Sequence, residues 1–104
     1  MIVTTVMGVK GQEVTRTIGL VKGSTIRKMH LGKDIIAGLR GVVGGEITEY
    51  TKIMAEAREE AIKRMVEEAE RKGANAVIGM RMGTSIVMQN AAEVFAYGTA
   101  VVLE

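Results

Sequence analysis

The sequence contains no cysteine, no proline and only three aromatic residues in 104 positions. Without cysteine, the chain can form neither a disulfide nor a zinc–thiolate site, and it has no thiol nucleophile. The aromatic residues are Tyr50, Phe95 and Tyr97, so the large buried areas that aromatic rings supply are nearly absent. The core must therefore be built from valine, isoleucine, alanine and methionine, and association of subunits is a common way to supplement so small a core.

Long apolar segments are also missing. Residues 1–5 lack the basic region and the apolar run of a signal peptide, and no window reaches the ~20 apolar residues of a membrane-spanning helix. The absence of cysteine fits a reducing compartment. We therefore expect a single soluble domain, spanning residues 1–104 and located in the cytoplasm, with no membrane partner.

The charge is nearly balanced, at +2 overall, but it is unevenly distributed. Between residues 10 and 40, only Glu13 and Asp34 oppose seven basic residues: Lys10, Arg16, Lys22, Arg27, Lys28, Lys33 and Arg40. Such a segment could attract an anion or a nucleic acid. No aromatic residue lies among these bases to stack on a nucleobase, so we favour a solvated surface and expect no nucleic-acid partner.

Residues 46–72 carry the clearest pattern in the chain. No glycine interrupts them, and Gly73 follows as a left-handed helix stop. One apolar set recurs at helical spacing and a second flanks it; the first comprises Ile47, Tyr50, Met54, Ala57, Ala61, Met65 and Ala69, and the second Ile53, Ile62 and Val66. Together they cover roughly 200° of the helix, whereas one sheet face needs about 100°. This excess predicts a subunit that assembles with other copies.

Strand patterns lie on both sides of this helix. Residues 13–27 predict a long strand with a bulge at Gly19, and residues 76–82 and 94–103 predict two more, joined by a loop over residues 88–92. Residues 34–40 predict a short helix. The order predicts an α+β fold, an antiparallel sheet packed on one long helix. Strands of eight to ten residues span about 30 Å and the helix about 40 Å, so we expect the helix to extend beyond its sheet.

Four segments resemble the YbjQ-like family of small bacterial and archaeal proteins, which are catalogued under heavy-metal binding. They are MIVTT at residues 1–5, GVVGG at 41–45, GANAVIG at 73–79 and YGTAV at 97–101. The resemblance implies a dodecin-like subunit in a homopentameric ring, and possible binding of a divalent metal ion. The acids of the family's Gly-Val-Asp-x-Asp pattern are absent here, where residues 79–83 read GMRMG.

Few residues offer metal or ligand chemistry. His30 is the only imidazole, so a ring of symmetry-related His30 side chains is the one imidazole site available, although a polar loop residue is the more ordinary interpretation. Arg81, Thr84 and Ser85 could hold a carboxylate or phosphate, with Tyr97 nearby in a subunit interface; the alternative is a charged cap at a strand end.

We therefore expect a non-enzymatic homo-oligomer that binds a metal ion or a small ligand between subunits, with the residues favouring an anion or a small organic ligand. Two alternatives remain open. One is a scaffold whose ring is itself the functional surface, and the other is an enzyme with an interfacial site at Arg81, Ser85 and Tyr97.

Overall fold

The computed structural model describes residues 1–28 and 48–104, with side chains from residue 51 onward in the second range. These residues contain four strands and one helix, in the order β1 (Ile2–Val3), β2 (Val14–Lys28), α1 (Thr48–Arg71), β3 (Ala76–Met88) and β4 (Ala91–Leu103). The α+β prediction is confirmed. The predicted short helix at 34–40, the glycines of 41–45, the first helical residues 46–47, His30 and the side chain of Tyr50 lie outside the described residues.

The four strands form one mixed sheet in the order β1-β3-β4-β2. β4 runs antiparallel to both β3 and β2, whereas β1 pairs parallel to β3 through Ile2 and Val3. The prediction of an antiparallel sheet is therefore wrong at β1. β1 and β2 form opposite edges of the sheet and run parallel to each other. Residues 4–13, which join them, therefore cross from one edge of the sheet to the other. The turn residues in this segment do not distinguish such a crossover from a hairpin.

The hairpin between β3 and β4 is longer and tighter than its sequence indicates. The loop predicted at residues 88–92 is wrong, because β3 continues to Met88 and β4 begins at Ala91. The two-residue turn contains Asn90 at φ 63°, a left-handed conformation that asparagine tolerates better than most residues. The three long strands, β2, β3 and β4, have 13 to 15 residues and span at least about 43 Å, against about 36 Å for the 24-residue helix. The sheet extends beyond the helix, which reverses the predicted relationship.

The helix packs on β2 and β4 through three alanines and one methionine. Ala57, Ala61, Met65 and Ala69 are completely buried against Val21 and the inward-facing residues of β4, which include Val94, Ala96 and Ala100. The predicted apolar stripe is confirmed over this span. The flanking residues Ile53, Ile62 and Val66 are only half-buried. In the described part of the chain, no helix is long and apolar enough to cross a membrane.

A second apolar cluster lies on the opposite face of the sheet. Ala76, Ile78, Val101 and Leu103 pack there against Val9, which belongs to the crossover segment. The C-terminal half of β4 is thus covered on both faces. The N-terminal half is covered by α1 on one face only, and Tyr97 on the other face is 41% exposed.

Candidate ligand-binding face

An open sheet surface lies opposite α1, next to the cluster that Val9 covers. We call it the open face: it consists of the outward residues of β2 from Leu20 to Ile26, of β4 from Glu93 to Tyr97, and of β3 from Arg81 to Ser85. Residues directly opposite each other in antiparallel strands share a face. The strand register therefore determines which side chains meet on this surface.

One row of this face combines an aromatic ring with two cations. Tyr97 of β4 is in register with Lys22 on one side and with Arg81 on the other. Arg81 Nη1 donates to the carbonyl oxygens of Thr5 at 2.9 Å and Met80 at 2.8 Å. These bonds hold the guanidinium against the crossover segment, and its remaining N–H groups can still donate to a ligand. The row therefore provides positive charge on both sides of Tyr97.

The next row provides a second aromatic ring. Phe95 is in register with Ser24 and with Gly83. Its ring occupies the space above Gly83, where an added Cβ would overlap the ring atoms. The rings of Phe95 and Tyr97 lie 6.2 Å apart between centroids with planes inclined by 24°. Aromatic pairs at this separation form an extended apolar surface, so the two rows make an aromatic platform bordered by cations.

A cavity of about 720 Å³ lies against this platform. Its lining on the open face comprises Leu20, Lys22, Ser24, Glu93, Phe95 and Tyr97. The cavity also reaches Gly23, Ala96 and Glu68, which lie on the helix side of the sheet. This volume falls within the range of about 300–1,000 Å³ that is typical of small-molecule sites. The lining is apolar at the centre and charged at its ends, with Lys22 beside Tyr97 and Glu93 four residues away along β4.

The site residues predicted from sequence divide between the two faces. Arg81 and Tyr97 are directly opposite each other, and Ser85 lies on the same face in register with Glu93. Thr84 is in register with Val94, whose side chain is buried towards α1. Thr84 therefore points to the other side of the sheet. His30 lies outside the described residues.

Two residues of the platform, Lys22 and Phe95, were not predicted. The sequence carries a signal for Phe95, because it alternates with Tyr97 along one strand face. Lys22 has no such signal. It belongs to a strand distant in sequence, and only the antiparallel register of β2 with β4 brings it beside Tyr97.

The described residues do not fit a heavy-metal site. In residues 1–28 and 48–104, no group of three or more histidine, cysteine, aspartate or glutamate side chains converges on one point. Of the soft thioether donors, Met80 packs against the main core. Met82 is in register with Ala96 on the helix side of the sheet, away from the platform.

The fold and this face define a class of protein: a small α+β domain in which the described helix packs on one face of a single sheet, and the other face carries aromatic rings bordered by cations. The chain belongs to the YbjQ_1 family, whose model carries the description "Putative heavy-metal-binding" and matches residues 1–104. The family resemblance seen in the sequence is confirmed.

Individual relatives support the same membership. The chain is 61% identical to a UPF0145 protein of Dehalococcoides mccartyi over 104 residues, covering all of both chains. It is 59% identical to a UPF0145 protein of Methanosarcina acetivorans over 101 residues, covering 97% of this chain and 95% of the relative. A crystal structure of a DUF74-family protein from Pediococcus pentosaceus has the same fold, with a TM-score of 0.63 at 18% identity, covering 100% and 98% of the two chains.

Proposed function

We propose that the protein is a non-enzymatic, cytoplasmic homo-oligomer, a dodecin-like ring of five copies, that binds a planar organic anion on the open face. The ligand class is inferred from one observation: Lys22, Tyr97 and Arg81 lie in a row beside the ring of Phe95. The assembly is supported by the apolar helix flank at Ile62 and Val66, which its own sheet leaves half-exposed.

The chemistry of the platform selects the ligand class. Aromatic faces favour stacking with a flat ring, and the cations beside Tyr97 favour a carboxylate or phosphate on that ring. Glu93 accepts hydrogen bonds at the other end. Because Glu93 and Tyr97 are four residues apart along β4, a ligand that reaches both ends is about 13 Å long.

A matched pair of probes tests the anion. We expect 2-naphthoate to bind more tightly than the neutral 2-naphthamide in calorimetric titrations, because only the carboxylate gains from Lys22 and Arg81. Lys22→Ala should lower 2-naphthoate affinity several-fold and leave 2-naphthamide affinity unchanged. Lys63→Ala, which removes the same charge from an exposed position on α1, is the control. Equal affinity for both probes, or an equal effect of the two lysine variants, would refute an anion site at Lys22.

The family description supplies the competing function, a metal site. Calorimetric titration of tag-free protein with Cu, Zn, Ni and Co distinguishes the two. We expect no heat of site-specific binding from these ions, because no set of metal-ligating side chains converges among the described residues. A stoichiometric heat that His30→Ala abolishes would instead support a metal site outside the described residues, and would replace the organic anion as the principal ligand.

A further inference from the structure

The last part of β3 is an uncharged and exposed strand. Residues 82–88 read MGTSIVM and contain no ionisable side chain. Four of the seven are large apolar residues with exposed fractions of 36% for Met82, 74% for Ile86, 48% for Val87 and 61% for Met88. A long apolar strand at a sheet edge is a template for pairing with another chain, and proteins usually protect such edges with charges or proline. This segment has neither.

The backbone edge of β3 is covered only at its beginning. The N-terminal segment pairs with it through Thr4 N to Val77 O at 2.9 Å, Gly79 N to Val6 O at 2.9 Å and Met80 N to Thr4 O at 3.0 Å. Beyond Met80, the only strand paired with β3 in the described part of the chain is β4, on its other side. Among residues 1–28 and 48–104, residues 82–88 therefore present an open edge.

No described element covers the helix side of the same segment. Met82 and Ile86 are in register with Ala96 and Ala92, both buried, so they belong to the face that carries α1. The helix lies over β2 and β4 rather than over β3. An apolar strip consequently remains beside the helix, with Ile62 and Val66 half-buried on α1 and Met82 and Ile86 exposed on β3.

We propose that residues 82–88 are an assembly surface, and that the occupant is the β2 edge of a second copy of this chain. β2 forms the opposite edge of the sheet and has 15 residues. It carries the basic residues Arg16, Lys22, Arg27 and Lys28. Two β2 edges would bring like charges together, whereas β2 against the uncharged segment of β3 would not. Each copy thus has two different edges, the uncharged segment of β3 and the basic β2, which can pair without bringing like charges together.

The topology fixes the direction of this contact. β2 and β3 both run antiparallel to β4, so they are parallel to each other. A rotation about an axis along the strands keeps that direction, and β3 then pairs parallel with β2 of the next copy. Since α1 sits over β2, the neighbour's helix arrives beside Met82 and Ile86 and covers the apolar strip. A head-to-tail contact of this kind repeats from copy to copy, and it forms a ring when the successive rotations add up to one full turn.

This inference rests on the assembly in the proposed function and specifies its interface. The first test is sedimentation of Ile86→Lys. Ile86 is 74% exposed, so a lysine there is compatible with a folded single copy. In the assembly it would place a charge in the proposed contact between β3 and β2 of the next copy. We expect the mass to fall from a multiple of 11.2 kDa to 11.2 kDa with an unchanged circular dichroism spectrum. Val6→Lys, at a residue 57% exposed in the N-terminal segment, should leave the oligomer intact.

The outcomes distinguish the existence of the oligomer from the identity of its interface. A wild-type protein that sediments as a single copy would refute the proposed oligomer and with it this interface. A wild-type oligomer that Ile86→Lys leaves intact would refute the interface alone. Binding of 2-naphthoate to the dissociated variant is measured separately, so neither result is confused with loss of the open-face site.

Engineered cysteines identify the partner edge, because the chain has no cysteine of its own. Ser85→Cys is combined in turn with Lys22→Cys, Ser24→Cys or Ile26→Cys, all on the open-face side of β3 and β2. Under mild oxidation we expect one combination to give a ladder of covalent multimers while Ser85→Cys alone stays uncoupled. Covalent dimers from Ser85→Cys alone would indicate a two-fold contact of β3 with itself, and would overturn the pairing with β2.

Discussion

The ring of Phe95 lies directly over Gly83 in the neighbouring strand, where any Cβ would overlap it. The absence of a side chain at residue 83 therefore sets the position of Phe95 on the platform. The aromatic surface of the candidate site depends on a residue that contributes no chemistry of its own.

Replacement of Gly83 by alanine should displace the Phe95 ring. We expect 2-naphthoate affinity to fall several-fold because the stacking surface is broken, while the free energy of unfolding changes by only about 1 kcal/mol, since the ring is half-exposed and can rotate. Titration and thermal unfolding measure the two effects. Gly8→Ala is the control, because nothing lies within 4 Å of a Cβ added there. An unchanged affinity would remove Phe95 from the binding surface.

Gly23 is the point at which β2 and α1 approach each other most closely among the glycines described. A Cβ added there would overlap the backbone carbonyl oxygen of Ala61 and the backbone nitrogen of Met65. Neither atom can move without shifting the helix, so Gly23→Ala should cost about 3 kcal/mol or more. Chemical denaturation measures this loss. A variant as stable as Gly8→Ala would mean that the helix sits farther from the sheet.

The side chain of Asn75 continues the sheet where the backbone of β3 has not yet begun. Its Nδ2 donates to the carbonyl oxygen of Leu103 at 2.8 Å, and its Oδ1 accepts from the N–H of Leu103 at 2.7 Å. Asn75→Ala leaves both backbone groups without these partners and should cost about 2 kcal/mol. Urea denaturation, with the exposed Gln12→Ala as control, checks this value. Equal stability of the two variants would show that water replaces the amide.

Met65 is the largest completely buried side chain in the core. Truncation to alanine leaves a cavity between α1 and the sheet, and we expect a loss of about 2–5 kcal/mol in the free energy of unfolding. Lys63→Ala, two residues earlier on the exposed side of the helix, should change stability by no more than about 0.5 kcal/mol. If Met65→Ala lowered the free energy of unfolding by as little as Lys63→Ala, the helix would have to move towards the sheet and fill the cavity.

Local patterns in the sequence predicted the main elements well. The stop at Gly73 is confirmed by its φ of 85°, and the bulge at Gly19 by a register shift and a φ of 130°. Two ion pairs between residues four apart on the helix also form, Glu60–Arg64 at 3.1 Å and Glu68–Lys72 at 3.2 Å. These features depend on residues close together in the chain, which is why spacing alone reveals them.

The candidate site was predicted only in part. Arg81 and Tyr97 were grouped correctly on one surface, but Thr84 was assigned with them although it faces the helix side. A strand places alternate side chains on opposite faces, so Thr84 and Ser85 could not both belong to one site. The register that excludes Thr84 is set by the bulge at residues 78–81, where two residues of β3 oppose Gly98.

Local periodicity and composition were enough to predict a helix with a small-residue stripe, long strands on both sides of it, and a core with few aromatic rings. The folded chain was needed to show that β1 joins the sheet in parallel, that Lys22 lies beside Tyr97, and that residues 82–88 form an open edge among the described residues. The first two relationships join residues 74 and 75 positions apart, and pairing between distant strands depends on the packing of the whole sheet rather than on any local preference.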